Sequence, residues 1–529
     1  MGFDLEAFDD LRLDAEYLEW LVDVHAADIQ RHFGRLWDYY ANPTADMHGA
    51  AGRKVNASGR PYVQAQEYGL PARITGLARS PGAGALEAQL VSDIQRKEVV
   101  IENDIAWRVN AGADFLFGKP ISITSKAPDS RRRDEIESIL KCVFAANGGL
   151  GFFQDMAVLG SVYGFVDCFV RPSLSLCNRA SHLPRTSDSS LPFSTVLEWS
   201  RAIDLELIEA PRALPVLDED DYRVITCYVQ HFHQKKNVVS HANSFLSRVL
   251  SATGQRRDTR QSVAVTEITS PDHWQRYEDK ELVAEGPTPW GFLPIVHIQN
   301  IAQPYYYEGV SDVESLMPLQ DELNTRLSDR ASRITFQSFK MYLGKGIEGF
   351  EDKPVAPGRM WCTDNPEASI EEFGGDSATP SEDAHIAEIR EALDKASGVT
   401  PVVAGLLKNR LGNLTSAVAL RLTFMGMLSR NERKRHSYSE GIKRICRMVL
   451  SMLDSTGVYR SSESERNVDV LFASPLPENL MEKLQEAQIK RELGVPAEQV
   501  LRELGYEPTS EYQESNIKGQ NGGNAAPRR

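Results

Sequence analysis

Apolar residues recur at helical spacing in the first part of the chain. Segment 14–40 repeats them every three or four positions, which predicts a helix. A second helical pattern spans residues 90–116, and Gly118 followed by Pro120 favours its end there. A charged amphipathic helix is predicted over residues 130–146. The N-terminal part of the chain is therefore expected to be mainly helical.

After residue 160 the pattern changes to short runs rich in Val, Ile, Tyr and Phe, which are typical of β-strands. Two polar stretches, 173–194 and 234–261, interrupt these runs and predict long loops, since both are rich in Ser, Asn and basic residues. A β-rich middle region follows from this pattern. The predicted strands are 121–125, 160–172, 202–211, 222–232, 263–271 and 294–301.

Helical spacing returns after residue 310. Ser311 and Glu314 fit a capping box that opens a helix to residue 335, with Pro318 in its first turn. A second capped helix is predicted over 381–397, and the helical pattern over 414–453 would be about 60 Å long if unbroken. The chain is thus predicted to be α+β. The remaining predictions are strands at 336–346, 358–364 and 467–473, two short helices within 479–502, and a disordered tail at 516–529.

Composition places this chain among soluble globular proteins. With 529 residues it is too long for one ordinary core, so two to four substructures are expected. No run of about 18 apolar residues occurs, and the acidic N-terminus lacks a signal-peptide pattern. The six cysteines form no Cys-x-x-Cys pair, which predicts reduced thiols. We therefore expect an unexported protein with no membrane partner.

The net charge of −15 restricts the possible partners. A protein that grips DNA tightly normally has a basic excess, whereas this chain repels DNA on average. This argues against a repressor or a nuclease. It is compatible with a surface along which DNA slides without being held.

The search for catalytic and metal-binding motifs returns no site. The segment from Gly112 to Pro120 has the wrong glycine spacing for a phosphate loop and lacks the Ser or Thr that binds Mg²⁺. His231 and His233 share a strand face, but no third ligand follows at a sequence spacing typical of a metal site. The acidic run 218–221 is typical of a solvated turn between strands. No catalytic residue, metal site or cofactor is predicted, and the chain is not expected to be an enzyme.

Four segments, in chain order, resemble the portal proteins of tailed phages, in particular the group typified by siphophages of Gram-positive hosts. Three residues, 415–417, and the two polar stretches depart from the family pattern. The resemblance extends over residues 95–505. The segments are RVNAGADFLFGKPISITS, DMAVLGSVYGFVDCFVRP, WGFLPIVHIQNI with GVSDVESLMPLQDELNTRLSDRAS, and GNLTSAVALRLTFMGMLSRNERKR.

This resemblance implies a portal-type α+β fold with a β-rich wing, a two-helix stem, a small α/β clip, a long helix behind a tunnel loop, and a helical crown. The boundaries that it implies are an N-terminal helical arm and irregular segment at 1–87, the wing at 88–310, stem helix 1 at 311–335, the clip at 336–380, stem helix 2 at 381–398, the tunnel loop at 399–413, the long helix with a returning wing strand at 414–475, the crown at 476–513 and a disordered tail at 514–529.

The resemblance also implies a function and partners. Portal proteins form a homo-oligomeric ring of about twelve subunits at one capsid vertex, through which double-stranded DNA passes during packaging and ejection. The implied partners are the terminase large subunit, a head-completion adaptor, and the major capsid and scaffolding proteins. The implied location is the virion, with assembly in the host cytoplasm. The alternatives are another structural virion connector or capsid-associated protein that conducts no DNA, and a DNA-processing enzyme, which the absent motifs disfavour.

Basic residues in two segments are the candidate contacts with DNA or with acidic residues of neighbouring helices or subunits. In the implied tunnel loop, Lys408 and Arg410 either touch DNA phosphates or pair with acids of a neighbouring subunit. Arg326, Arg330 and Arg333 lie at i, i+4 and i+7, so they share one face of stem helix 1. That face meets either the channel or acids of the adjacent helix, with pairing between subunits favoured. A wing-side or inter-subunit surface is expected at Arg430, Arg433, Lys434 and Arg435.

Overall fold

The computed structural model describes residues 3–11, 13–41, 100–173, 191–237, 260–338, 341–345, 366–373, 380–399, 421–476 and 480–504. Its helices are α1 Ala15–Trp20, α2 Ala26–Ala41, α3 Asp104–Phe117, α4 Ser130–Ala146, α5 Leu150–Tyr163, α6 Phe193–Ser200, α7 Met317–Ser338, α8 Pro380–Ser397, α9 Met425–Ser455, α10 Leu480–Glu492 and α11 Ala497–Glu503. A π-helical turn, Leu21–His25, joins α1 to α2, and short 3-10 turns occur at Glu6–Leu11, Ala210–Arg212 and Glu314–Leu316.

In the part of the chain that the structure describes, the strands form four antiparallel sheets. Two have two strands each, β1 with β12 and β10 with β11; one has three strands in the order β3-β2-β9; one has five in the order β4-β5-β6-β7-β8. The strands are β1 Ser122–Ser125, β2 Phe165–Pro172, β3 Ile203–Ile208, β4 Ala213–Leu217, β5 Ile225–Asn237, β6 Arg260–Thr269, β7 His273–Glu278, β8 Glu281–Pro287, β9 Ile295–Gln299, β10 Met341–Lys345, β11 Ser369–Phe373 and β12 Val468–Leu471.

The three-stranded sheet separates two hydrophobic cores. Side chains alternate along β2, as the two-residue period of a strand requires. Val166, Cys168 and Val170 face a core that also contains residues of α4, α5 and α9. Phe165 and Phe169 face a second core, which contains residues of α2, α3, α7 and α8. Both faces of β2 are therefore buried, which explains why this strand reads as an almost continuous apolar run.

A buried carboxylate connects the three-stranded sheet to the five-stranded sheet. Asp167 of β2 accepts hydrogen bonds from the hydroxyls of Tyr228 in β5 (2.6 Å) and Tyr307 (2.9 Å), and its other oxygen lies 2.7 Å from Nδ1 of His297 in β9. Asp167 is fully buried. An enclosed carboxylate is tolerated only where donors satisfy it, and these three do so. Tyr228 is thereby fixed against the neighbouring sheet.

The N-terminal segment packs on the five-stranded sheet. Phe8 and Leu18 lie in a third core together with Val229, Ile268 and Tyr277 of β5, β6 and β7. The amide of Asp4 also donates to the Tyr277 hydroxyl, which in turn donates to the Asp4 carbonyl. The helical arm predicted over 14–40 is confirmed as a helix, and it is attached to the body of the subunit.

Most predicted helices and strands are confirmed, with corrections at their ends. Residues 160–163 belong to α5 and not to the predicted strand, because Gly164 adopts a left-handed φ of 92° that ends the helix before β2 begins. In the helix predicted over 90–116, residues 100–103 are not helical; the Asn103 side chain caps the helix by accepting from the Ala106 amide at 3.1 Å.

Other corrections concern strands and loops. Helix α7 continues to Ser338, so the strand predicted over 336–346 is shortened to β10. Strands β5 and β6 extend into the polar stretch 234–261 and pair up to Asn237 and Arg260. The prediction missed α5, α6, β4, β7, β8 and β11. Residues 42–87 of the expected irregular segment and the predictions for 358–364 and 516–529 lie outside the described residues.

No single helix in the described ranges is long and apolar enough to cross a membrane. The pair α4 and α5 passes that test by length and composition only when taken together, and it is bent by 67°. Buried residues of both helices lie in the core beside β2, where they pack against α9.

We expect Gly441→Ala to destabilise the fold. A Cβ at this position in α9 would lie 2.4 Å from two side-chain carbons of Ile298, which is buried in the core. Overpacking of this kind costs about 1–3 kcal/mol in the free energy of unfolding. The measurement is the thermal midpoint of the purified protein. Gly426→Ala in the same helix is the control, since no atom lies within 4 Å of its Cβ. An equal midpoint for both variants would contradict the close packing of α9 on β9.

Candidate functional site: a helical hairpin and the junction at its end

Helices α7 and α8 pack against each other as a hairpin. Leu323 and Leu327 of α7 are buried in one core with Ile386, Ile389 and Leu393 of α8. These positions repeat every three or four residues, so each helix turns a single apolar stripe toward its partner.

Ion pairs within the chain neutralise the predicted basic face of α7. Arg330 binds Asp383 of α8 at 2.7 Å, and Arg333 binds Glu382 of the same helix. Arg326 binds Glu322 at 2.7 Å within α7. All three arginines therefore have partners in their own subunit. Whether this face also meets the channel or a neighbouring subunit stays a prediction.

Helix α7 is neutral and helix α8 is acidic, so the hairpin as a whole has a negative net charge. Helix α7 contains three acids and three arginines, whereas α8 contains five acids and two cations. The cations of α8 are also paired: Arg390 binds Glu102 at 2.8 Å, and Lys395 binds Glu391 at 2.9 Å. The hairpin therefore lacks an excess of positive charge.

The C-terminal end of α8 is held by a buried arginine. The Arg108 side chain of α3 is only 4% exposed and binds Asp104 (2.9 Å) and Asp394 (2.7 Å). It also donates to the Ser397 hydroxyl at 2.8 Å and to the Val399 carbonyl at 3.2 Å. Burial raises the pKa of Asp394 even though Arg108 lowers it, so this carboxylate depends on the arginine for its charge.

A second buried charge cluster lies beside the first. Asp312, just before α7, binds Arg430 at 2.6 Å and also binds Lys434; both cations belong to α9. Burial alone would raise the pKa of Asp312, but Lys434 and Arg430 hold it below its usual value. Lys434 also donates to the Ser161 hydroxyl of α5 at 2.9 Å. The cluster therefore ties α5 and α9 to the start of α7.

The two charge clusters meet at the C-terminal end of α8, and this region is called the junction below. Arg430 donates to the Ala396 carbonyl at 3.3 Å, where an arginine also complements the negative end of the helix dipole. Gly398 follows with a left-handed φ of 67°, the usual way to end a helix. Val399 then packs with Phe424 and Met427 at the start of α9. Residues 399 and 424, on either side of segment 400–420, therefore meet in one small apolar cluster.

Sequence reasoning did not identify most of this junction. The spacing of Asp104 and Arg108, four residues apart on α3, was the available signal for a local ion pair. Their link to Asp394 is a contact between distant segments. Lys408 and Arg410 lie outside the described residues. In the predicted basic group on α9, Arg430 and Lys434 face inward to Asp312, whereas Arg433 is exposed.

The two strand histidines do not form a metal site with other described residues. Nδ1 of His231 lies 3.0 Å from the Thr266 hydroxyl in the neighbouring strand, and His231 is buried. Burial and the neighbouring His233 lower the pKa of His231 to about 4. A neutral histidine bonded to a threonine is a structural feature of the sheet.

Comparison with known proteins gives one family match. The family model described as phage portal protein, SPP1 Gp6-like, matches residues 198–514, which is more than half of the chain. No curated protein sequence matches. Among solved structures, a chain from the virion of a native gene transfer agent particle is 12% identical with a TM-score of 0.40, and the match covers 83% of this chain and 99% of that one. A chain from the neck of an empty gene transfer agent particle, computed with C6 symmetry, is 12% identical with a TM-score of 0.39, covering 83% and 100%.

We expect Arg108→Met to disrupt the junction. The substitution leaves the carboxylates of Asp104 and Asp394 without their buried cation, and breaking a buried ion pair in this way costs about 3–5 kcal/mol. The thermal midpoint measures the loss. Lys395→Met is the control, since it breaks only an exposed pair on the same helix and costs about 1 kcal/mol or less. Similar midpoints for the two variants would show that Arg108 does not hold the junction.

Proposed function

The chain belongs to the SPP1 Gp6-like family of phage portal proteins, and from this membership we propose that it forms a ring-shaped channel at one capsid vertex. Double-stranded DNA would enter and leave the capsid through this ring. The family match over residues 198–514 is the observation that carries the proposal. The hairpin and its junction support it, because a rigid helical pair with a fixed end is suited to building a sleeve around an axis.

The elements correspond to the parts of a portal subunit as follows. The β-rich region and the helices before it form the wing, α7 and α8 the stem, and β10 with β11 part of the clip. Segment 399–413 is the tunnel loop, α9 the helix behind it, and β12 the strand that returns to the wing by pairing with β1. Helices α10 and α11 belong to the crown. The anchoring of Val399 and Phe424 in one cluster supports placing a loop between them.

The electrostatics of the hairpin suit a channel wall. A polyanion slides only if the wall does not bind its phosphates tightly, since each neutralised phosphate adds affinity. The cations of α7 and α8 are paired with acids within the chain, and the hairpin has more acids than bases. Lys408 and Arg410 of the tunnel loop would then provide a few transient contacts with DNA.

The proposed partners follow from the same role. The segment most similar to a phosphate loop is 112–120, and helix α3 ends within it. The Gly118 amide donates to the Asp114 carbonyl at 2.7 Å. This is helix-capping geometry, so the energy for packaging would come from the terminase large subunit docked on the clip. A head-completion adaptor would take the same surface afterwards, while capsid and scaffolding proteins would contact the wing.

The first experiment is negative-stain electron microscopy combined with light scattering. We expect rings with a central hole and a mass of roughly twelve times the 59.0 kDa chain. Where the purified chain stays monomeric, the measurement is repeated with capsid and scaffolding proteins present. Failure to form rings under both conditions would overturn the proposal. It would favour the alternative, a structural virion connector that conducts no DNA.

A second experiment addresses the tunnel loop. If Lys408 and Arg410 touch DNA, the double variant Lys408→Ala with Arg410→Ala should still form rings, but it should package less DNA per capsid in a reaction with terminase. Arg131→Ala, an exposed arginine of α4, is the control and should leave packaging unchanged. If the two residues pair with acids of a neighbouring subunit instead, the variant rings will dissociate more readily in salt.

A further inference from the structure

Helix α9 presents an exposed basic stripe. Arg433, His436, Arg444 and Arg447 are exposed and lie at i, i+3, i+11 and i+14, so they share one face over about 21 Å. Glu440 lies on the same face, but its carboxylate is bound by Lys443 at 2.9 Å. Arg433 and Arg444 form no ion pair with any described residue. The stripe therefore has three arginines against one carboxylate, Glu440, whose pKa is lowered by Lys443, His436 and Arg444, in a chain with a net charge of −15.

The N-terminal helix presents an acidic and aromatic face. Glu16, Tyr17, Glu19 and Trp20 are exposed, with Tyr17 37% and Trp20 46% accessible. The rings of Tyr17 and Trp20 stack at 5.9 Å, and Trp20 stacks on His25 at 5.1 Å. These rings border the π-helical turn, a distortion that occurs often at functional sites.

Helices α9 and α2 lie on opposite faces of the three-stranded sheet, and α1, which carries the acidic aromatic face, leads into α2 and packs on the five-stranded sheet. Helix α9 packs against the face of β2 that presents Val166 and Cys168. Helix α2, which continues the N-terminal helix, packs against the other face through Phe33 and Phe165. A closed ring joins a surface of one subunit to a different surface of the next, so a head-to-tail contact needs two complementary patches that point away from each other.

We propose that the basic stripe of α9 docks on the acidic aromatic face of the N-terminal helix in a neighbouring copy of this chain. The chemistry of the two patches matches, because arginine binds carboxylates and also stacks on tryptophan and tyrosine rings. Tryptophan, tyrosine and arginine also contribute most to affinity in protein interfaces. This inference rests on the proposed ring, and it adds which surfaces join the subunits.

A second copy explains both patches together. DNA could bind the basic stripe, but it would be repelled by the acidic face. The first 28 residues contain nine acids and a single arginine, and Lys280 of the same chain pairs with Asp23 at 2.9 Å, so this segment keeps a net negative charge that suits a cationic partner. The stripe on α9 provides one with arginines in a fixed helical spacing.

Charge reversal tests this contact. The double variants Arg433→Glu with Arg444→Glu, and Glu16→Arg with Glu19→Arg, should each need at least about tenfold more protein to form rings, because like charges then face each other. Combining all four substitutions restores opposite charges and should return assembly to near the wild-type concentration. Light scattering at about 0.15 M salt measures the midpoint, and thermal melting verifies that each variant is folded.

Arg131→Glu with Arg223→Glu is the control, since it makes the same charge change at two exposed arginines outside the stripe.

As a second measurement, a flexible bis-maleimide linker should join Glu19→Cys on one copy to Arg433→Cys on another. Two results would overturn this inference alone. In the first, the double variants form rings at the same protein concentration as the wild type. In the second, the fourfold variant needs as much protein to form rings as the double variants do. Intact rings with weakened DNA binding would assign the stripe to DNA instead. Failure of the wild type to form rings overturns both the inference and the proposed function.

Discussion

Buried charge holds the parts of this subunit together. Asp312 satisfies two cations of α9, and Arg108 satisfies two carboxylates from α3 and α8. Removing charges from water is costly, so each group is stable there only while its partners stay in place. Because the partners come from distant parts of the sequence, the hairpin cannot change its angle to the body without exposing an unpaired charge. Apolar packing alone, which is non-directional, would restrain that angle less.

This constraint also affects the segment between α8 and α9. Arg430 holds the Ala396 carbonyl in the last turn of α8, Arg108 holds the Val399 carbonyl just beyond it, and Val399 packs against Phe424 and Met427. Force applied to residues 400–420 would therefore be passed to two helices and to the sheet behind them. In the proposed channel, residues 400–420 would be held at both ends while they contact DNA, and the hairpin would keep its shape.

The sequence predicted elements better than their contacts. The bounds of α4 are those expected from its pattern, because capping residues and helical spacing are local signals. Strands β7 and β8 were missed because both lack the apolar pattern of β2: β7 consists mainly of polar residues, and β8 has no buried residue. The junction was missed for another reason. Asp104 and Arg108 are recognisable as a local pair, but their contact with Asp394 depends on the tertiary fold, and spacing carries no information about it.

The uneven distribution of charge gives the net value of −15 a structural meaning. Within the hairpin, every cation is paired with an acid through a short contact, and acids remain in excess; on α9 and at the N-terminus, like charges accumulate on exposed faces. Such exposed charges stabilise the folded chain little, because water screens them. Between subunits, complementary charge mainly contributes specificity and the rate of encounter. The proposed ring would benefit from this arrangement, because like patches repel and only the head-to-tail orientation brings opposite charges together.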